Sequence, residues 1–264
     1  MKANVIILTG GLSGSSVLCG LIAQKGYWLG EDTKKIGYQT FENSQLIELN
    51  IDLLHKSGYS WDDTMDIPPP SVEKLQQLAD AVDNDKYQGF IQNCNIHNPW
   101  LWKDPRLCYT IFFWGQFFDL KKCKFILMHR NPKQSWIGIV LRGKTPIAYK
   151  NMQTVEQNCI DHARLFLKQN HLDFLDITFE DLMLHPDKSI ARINEYLGIY
   201  LTVNDLDRIY KGKLYKLRWE TFDFYKAQLK FFYYRFVRRD ATCFPRKREG
   251  RGSGYYHIVP KKNK

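Results

Sequence analysis

Short apolar runs alternate with segments of helical period along this chain. Residues 4–9, "NVIILT", form a β-branched apolar run bounded by turn residues, the pattern of a strand buried on both faces. Glycines and serines follow, and residues 15–26 then read as a helix closed by Gly26. In residues 43–57, Leu46, Leu49, Leu53 and Leu54 fall on one helical face, with Asn43 or Ser44 as cap. "DIPPPS" is a rigid loop, after which Ser71 caps a helix to about Asn84. "GFIQNC" and "WLWKDP" read as short strands. Helices are expected over residues 105–119, opened by Pro105, and over 133–142, 152–170 and 186–197. "CKFILMH" and "DFLDITF" read as two further strands. Residues 220–239 form a last helix, with Phe222, Tyr225, Leu229, Phe232, Tyr233 and Phe236 on one face and Lys226, Lys230, Arg235 and Arg239 broadly opposite. Packing of that aromatic face on the domain is the favoured reading; the alternatives are peripheral contact with a membrane surface or an aromatic wall beside an acceptor.

Strands alternating with helices define an α/β fold: three layers, with a central parallel sheet covered by helices on both faces. Residues 1–239 are expected to form one domain, and 240–264 a basic glycine-containing tail with a frayed end. In such sheets ligands bind beyond the C-terminal strand ends, where the first loop lies.

Composition adds limits. The net charge of +10 is concentrated at the end: residues 238–264 hold nine Lys/Arg against two acids, so seven of the ten charges sit there. Basicity is therefore a property of the tail, and a nucleic-acid-binding face is not expected. The six cysteines show no CxxC spacing, which argues against a disulfide framework or a zinc site. No signal-like segment or long apolar stretch stands out, giving a cytoplasmic expectation.

The turn "TGGLSGSS" has the make-up of a phosphate-cradling loop. Glycines let the backbone approach an anion, Ser13, Ser15 and Ser16 offer hydroxyls, and the opening helix presents N–H groups. The Walker pattern is absent, because no lysine follows the second glycine. Arg130 comes directly after a strand, and arginine suits bidentate phosphate recognition. Lys103, Asp104 and Arg106 are three charges between aromatic runs, with Lys103 suited to neutralising a transferring group and Asp104 to accepting a proton.

Five segments in order resemble the sulfotransferases that use 3′-phosphoadenosine 5′-phosphosulfate (PAPS), most closely the bacterial branch. They are Gly10 to Ser16; "GYWLGED" with "GYQTFENSQLIELNIDLLHKSGYSWDD"; "WKDPRLCYTIFFW", similar to a Lys-Asp-Pro-Arg segment; "FILMHRNPKQSW"; and "LDITFEDLMLHPDKSIARINEYLGI". The resemblance covers most of residues 4–200. It implies a P-loop-like fold and transfer of a sulfuryl group from PAPS, without a metal, to a hydroxyl, or less readily an amine, of a saccharide or polar small molecule. The donor leaves as 3′-phosphoadenosine 5′-phosphate (PAP). Gly11, Leu12, Ser13, Gly14, Ser15 and Ser16 would meet the 5′-phosphosulfate, and Arg130 and Gly138 the 3′-phosphate. Lys103 is placed like a catalytic lysine, and the base candidates are Glu42 and Asp104, ranked close together, with Glu31 third. Arg246, Lys247 and Arg251 resemble a basic glycine-rich donor-binding tail. Two positions depart from the family pattern: Leu12 stands where Lys or Arg is usual, and Gly138 where serine is usual. A basic residue restored at position 12 is expected to strengthen donor binding. Two other readings remain open, a non-catalytic nucleotide- or glycan-binding member of the fold and a small-molecule kinase.

Overall fold

A computed structural model describes residues 2–35, 39–60, 62, 68–81, 84–141, 148–210 and 220–237. Strand β1 (Asn4–Thr9) leads through the glycine–serine loop into α1 (Ser15–Ala23). A hairpin of β2 (Thr33–Lys35) and β3 (Gln39–Asn43) follows, then α2 (Ser44–Lys56), α3 (Val72–Ala81) and α4 (Asp85–Ile96). Next come β4 (Leu101–Lys103), α5 (Leu107–Trp114), β5 (Cys123–His129), α6 (Pro132–Leu141) and α7 (Tyr149–Gln169). The chain continues through β6 (Phe174–Thr178), α8 (Phe179–Leu184), α9 (Pro186–Leu197), α10 (Val203–Ile209) and α11 (Glu220–Phe232), which ends in a π turn, Tyr233–Val237.

The main sheet has the order β4-β1-β5-β6, and all its pairings are parallel. Alternate residues of each strand face opposite ways, so two cores form. Ile6, Leu8, Trp102, Phe125 and Leu127 pack with α2 to α5 and α7. Val5, Ile7, Leu101, Ile126 and Met128 pack with α1 and α8 to α10. This is the expected three-layer, P-loop-like α/β fold. Trp100 and Trp102 stack at 4.5 Å between ring centroids on the first face, an arrangement worth about 0.5–1.5 kcal/mol beyond burial.

The strand order reverses direction at β1: the chain leaves it toward β4, then crosses back to β5 on its other side. That places the glycine–serine loop at the crevice where such sheets hold ligands.

Three expectations change. "GFIQNC" is not a strand but lies inside α4, because Tyr87, Phe90, Ile91 and Cys94 are buried at helical spacing while Gly89 is exposed. Read from Gly89, the window was too short to show the period. The β2–β3 hairpin was missed, since its polar "TKK" and "QTFEN" strands carry no long apolar run. In α11 the packed face is the opposite of the one expected: Phe224, Ala227 and Phe231 meet Trp136 and Val140 of α6, and the Tyr225–Phe236 stripe faces outward.

Candidate active site

Because the strands run parallel, the C-terminal ends of β4, β1, β5 and β6 share one edge. Lys103 closes β4, the loop follows β1, Arg130 follows β5, and Phe179 follows β6. The residues singled out from sequence at three of these ends therefore lie side by side along one rim.

The loop is held from within. The Thr9 and Ser13 hydroxyls hydrogen-bond each other, and Ser13 Oγ accepts from Ser15 N at 3.4 Å. Gly14 takes the left-handed conformation, φ 84°, as it turns the chain into α1. A Cβ there would lie 2.2 Å from the Phe179 ring, so only glycine fits. Leu12 is also left-handed, φ 67°, and its side chain packs into the Trp136 cluster with α6 and α11. The position where a loop cation was expected thus contributes to a core.

Lys103 brings a positive charge to the head of α1: its ammonium donates to Ser16 Oγ at 3.3 Å and to Glu42 Oε1 at 2.7 Å. Both partners of this ion pair are buried, with Lys103 1% exposed. Glu42 reaches it from β3, and that strand comes close because α1 has a glycine at position 20. A Cβ on Gly20 would meet the Phe41 ring at 2.6 Å, and Phe41 itself adopts φ 58°. The Cys19 thiol lies beneath the pair; burial pushes it up to about 12, Lys103 pulls the other way, and Glu42 adds to the rise. It stays a protonated thiol rather than a nucleophile.

Asp104 is fully buried and saturated. It accepts from Asn50 Nδ2 at 2.8 Å, from the Arg106 backbone at 3.1 Å and from the Arg106 guanidinium at 2.7 Å. Asn50 Oδ1 in turn accepts from Thr110 and Trp114, each at 2.8 Å. This network braces α5 against α2. Glu31 is exposed and pairs with His97 at 3.6 Å, apart from the lysine. Of the three carboxylates, Glu42 is the one joined to Lys103.

At the other end of the rim, Arg130 lies over the Phe179 ring at 4.7 Å and within 3.5 Å of Glu180. Glu180 also accepts from Asn131 N at 3.2 Å, which fixes the start of α6. Gly138 is buried within α6. Sequence reasoning did not find Phe179, Glu180, Ser135 or Glu156 around this arginine. Glu156 carried a readable signal, a carboxylate among Met152, Val155 and Cys159 on the buried face of α7. Its oxygens find no hydrogen-bond partner among the described residues. Burial raises its pKa to about 8; Ser135 and Arg130 oppose the rise, while Cys159 and Glu180 add to it. Arg246, Lys247 and Arg251 lie outside the described residues.

The chain is an α/β protein whose glycine–serine strand–loop–helix turn is flanked by a buried Lys–Glu pair and an arginine. No family model and no curated protein matches the chain. Solved structures similar to it include the sulfotransferase domain from the curacin biosynthetic pathway, at 16% identity over 84% of this chain and 83% of that one, TM-score 0.47. Another is the sulfotransferase domain of the Synechococcus PCC 7002 olefin synthase, at 18% identity over 81% and 80%, TM-score 0.45. Sulfotransferase STF9 from Mycobacterium avium matches at 14% identity over 89% and 76%, TM-score 0.45. Likenesses this distant carry no functional weight, and the function is read from the side chains.

Proposed function

We propose that the chain is a sulfotransferase that moves a sulfuryl group from PAPS to a hydroxyl of a saccharide or polar small molecule. The observation that carries this reading is the buried Lys103–Glu42 pair at Ser16, where the glycine–serine loop opens α1. In the proposed reaction, loop N–H groups and Ser13 to Ser16 hold the phosphosulfate, and Arg130 takes the 3′-phosphate. Glu42 accepts the proton of the acceptor hydroxyl as its oxygen bonds to sulfur. The sulfur–oxygen bond to the donor phosphate breaks, its electron pair stays on that phosphate, and Lys103 neutralises the charge. Positioning and charge neutralisation supply the acceleration, by analogy with phosphoryl transfer.

Calorimetry with PAP, ATP and ADP tests the donor. Tight PAP binding that weakens at least about tenfold in Arg130→Ala is expected, since a bidentate charge-assisted contact is lost; preference for ATP would overturn the reading. A second reading, a non-catalytic nucleotide- or glycan-binding protein, is favoured by Leu12, which gives the loop an apolar anchor in place of a cation. Binding of PAP without transfer of labelled sulfate to a broad acceptor panel would favour it.

A further inference from the structure

Seven of the twelve large apolar side chains that stand exposed among the described residues lie between Phe222 and Val237, on α11 and its π turn. Tyr225, Leu229, Phe232 and Phe236 follow one another at spacings of four, three and four, a single outward stripe. Each is more than half open to solvent, while the opposite face of the helix packs on α6. Five of the seven are aromatic; at roughly 200 Å² each they present about 600 Å². That equals or exceeds the largest apolar patch of an ordinary monomer.

The charges beside the stripe select its occupant. Lys226 is exposed on one flank, Lys230 donates to Leu141 O at 3.0 Å, and the Arg235 guanidinium lies 5.5 Å from the Phe236 ring. Asp223 is the one acid between Phe222 and Val237, against Lys226, Lys230 and Arg235, and the chain that follows adds nine Lys/Arg against two acids. A second copy would bring the same cations against these, and the chain's own tail is cationic as well. An anionic bilayer offers what the face lacks: an apolar interior beneath negative headgroups. The helix is too short and too charged to cross a membrane, and no described helix is long and apolar enough to do so. We infer that α11 docks the protein on an anionic lipid surface, lying in the interface plane with Tyr225, Leu229, Phe232 and Phe236 among the acyl chains. This inference is independent of the donor reading.

Flotation of the full chain with phosphatidylcholine vesicles, with and without phosphatidylglycerol, is the test. Binding is expected with phosphatidylglycerol and is expected to fall as salt rises. The triple variant Leu229→Gln/Phe232→Ser/Phe236→Ser should lose at least about tenfold in partitioning, with an unchanged unfolding midpoint because those side chains face solvent. Lys226→Glu, a single surface change, should lose about tenfold or more by itself. The inference is overturned if the wild type fails to float with anionic vesicles, or if the triple variant floats like the wild type. It is equally overturned if the wild type is a dimer that the triple variant dissolves while vesicles stay unbound, since the face then belongs to a second copy. Flotation lost only on Lys261→Glu/Lys262→Glu/Lys264→Glu, and retained in the triple variant, would assign adsorption to the tail and overturn it too.

Discussion

Glu156 should make the protein less stable as pH rises. Its carboxyl is buried on α7 beside Arg130 and Ser135, and burial raises its pKa from the ordinary 4.5 to about 8. The folded state therefore holds a proton that the unfolded chain releases near pH 4.5. By linkage, stability falls wherever the folded state binds more protons. The cost is absent below about pH 4.5, grows by about 1.4 kcal/mol per pH unit, and is complete above about pH 8, at an order of 3–5 kcal/mol. Glu156→Gln keeps the shape and removes the titration. The variant and the wild type should differ by less than about 1 kcal/mol at pH 5, where little of the cost has accrued. At pH 9 the variant should be more stable by about 3–5 kcal/mol, roughly 10 °C in Tm for a chain of this size. Urea unfolding of both proteins at each pH from 5 to 9 gives the difference directly, and other titrating groups cancel in it. A difference flat across pH, or a variant less stable at pH 9, would refute the reasoning: the carboxylate would then be ionised and stabilised by Arg130.

Lys103→Met should lower sulfuryl transfer about 100- to 1000-fold, the loss typical of one charge-stabilising donor. Glu42→Gln should lower it about 100-fold or more while leaving the PAP Kd within threefold, read by radiolabel transfer beside calorimetry. Leu12→Arg, credited by the family resemblance with tighter donor binding, is expected instead to cost about 1–2 kcal/mol in denaturant unfolding, because it withdraws an apolar side chain from the Trp136 cluster. Asn50→Ala should cost about 3 kcal/mol or more by the same measurement, since it strips partners from buried Asp104, Thr110 and Trp114 together.

The parts of the fold legible in the sequence are those whose burial is local and periodic. "NVIILT" and "CKFILMH" are buried on both faces, so each is a continuous apolar run, and both are strands of the central sheet. The β2–β3 hairpin was not legible, because what holds it is a distant contact. Phe41 sits against Gly20 of α1, and Cys19 Sγ donates to Phe41 O at 3.5 Å. No window of residues 33–43 contains that partner. The same limit explains the aromatic helix. Its sequence carries two apolar stripes, and periodicity alone does not say which one meets the body. The stripe of Phe224, Ala227 and Phe231 won because small Ala227 lets the helix approach Trp136 and Val140 closely.

The candidate site follows the same division. Its members at strand ends, Lys103 and Arg130, were legible because a buried strand followed by a cation is a local pattern. The partner of Lys103 was harder to single out. Glu42, Asp104 and Glu31 are three carboxylates of similar sequence context, and only the fold separates them: one reaches Lys103 at 2.7 Å, one is saturated by Arg106 and Asn50, and one stands in solvent beside His97. The cation missing from the loop is explained in the same way. In a loop bounded by solvent, leucine for lysine would be a loss of function without a gain. Here α11 and α6 build an apolar wall beside the loop, so the leucine at position 12 is bound into that wall. A positive charge reaches the head of α1 from β4, the neighbouring strand of the sheet, through a lysine that the hairpin's glutamate holds against Ser16.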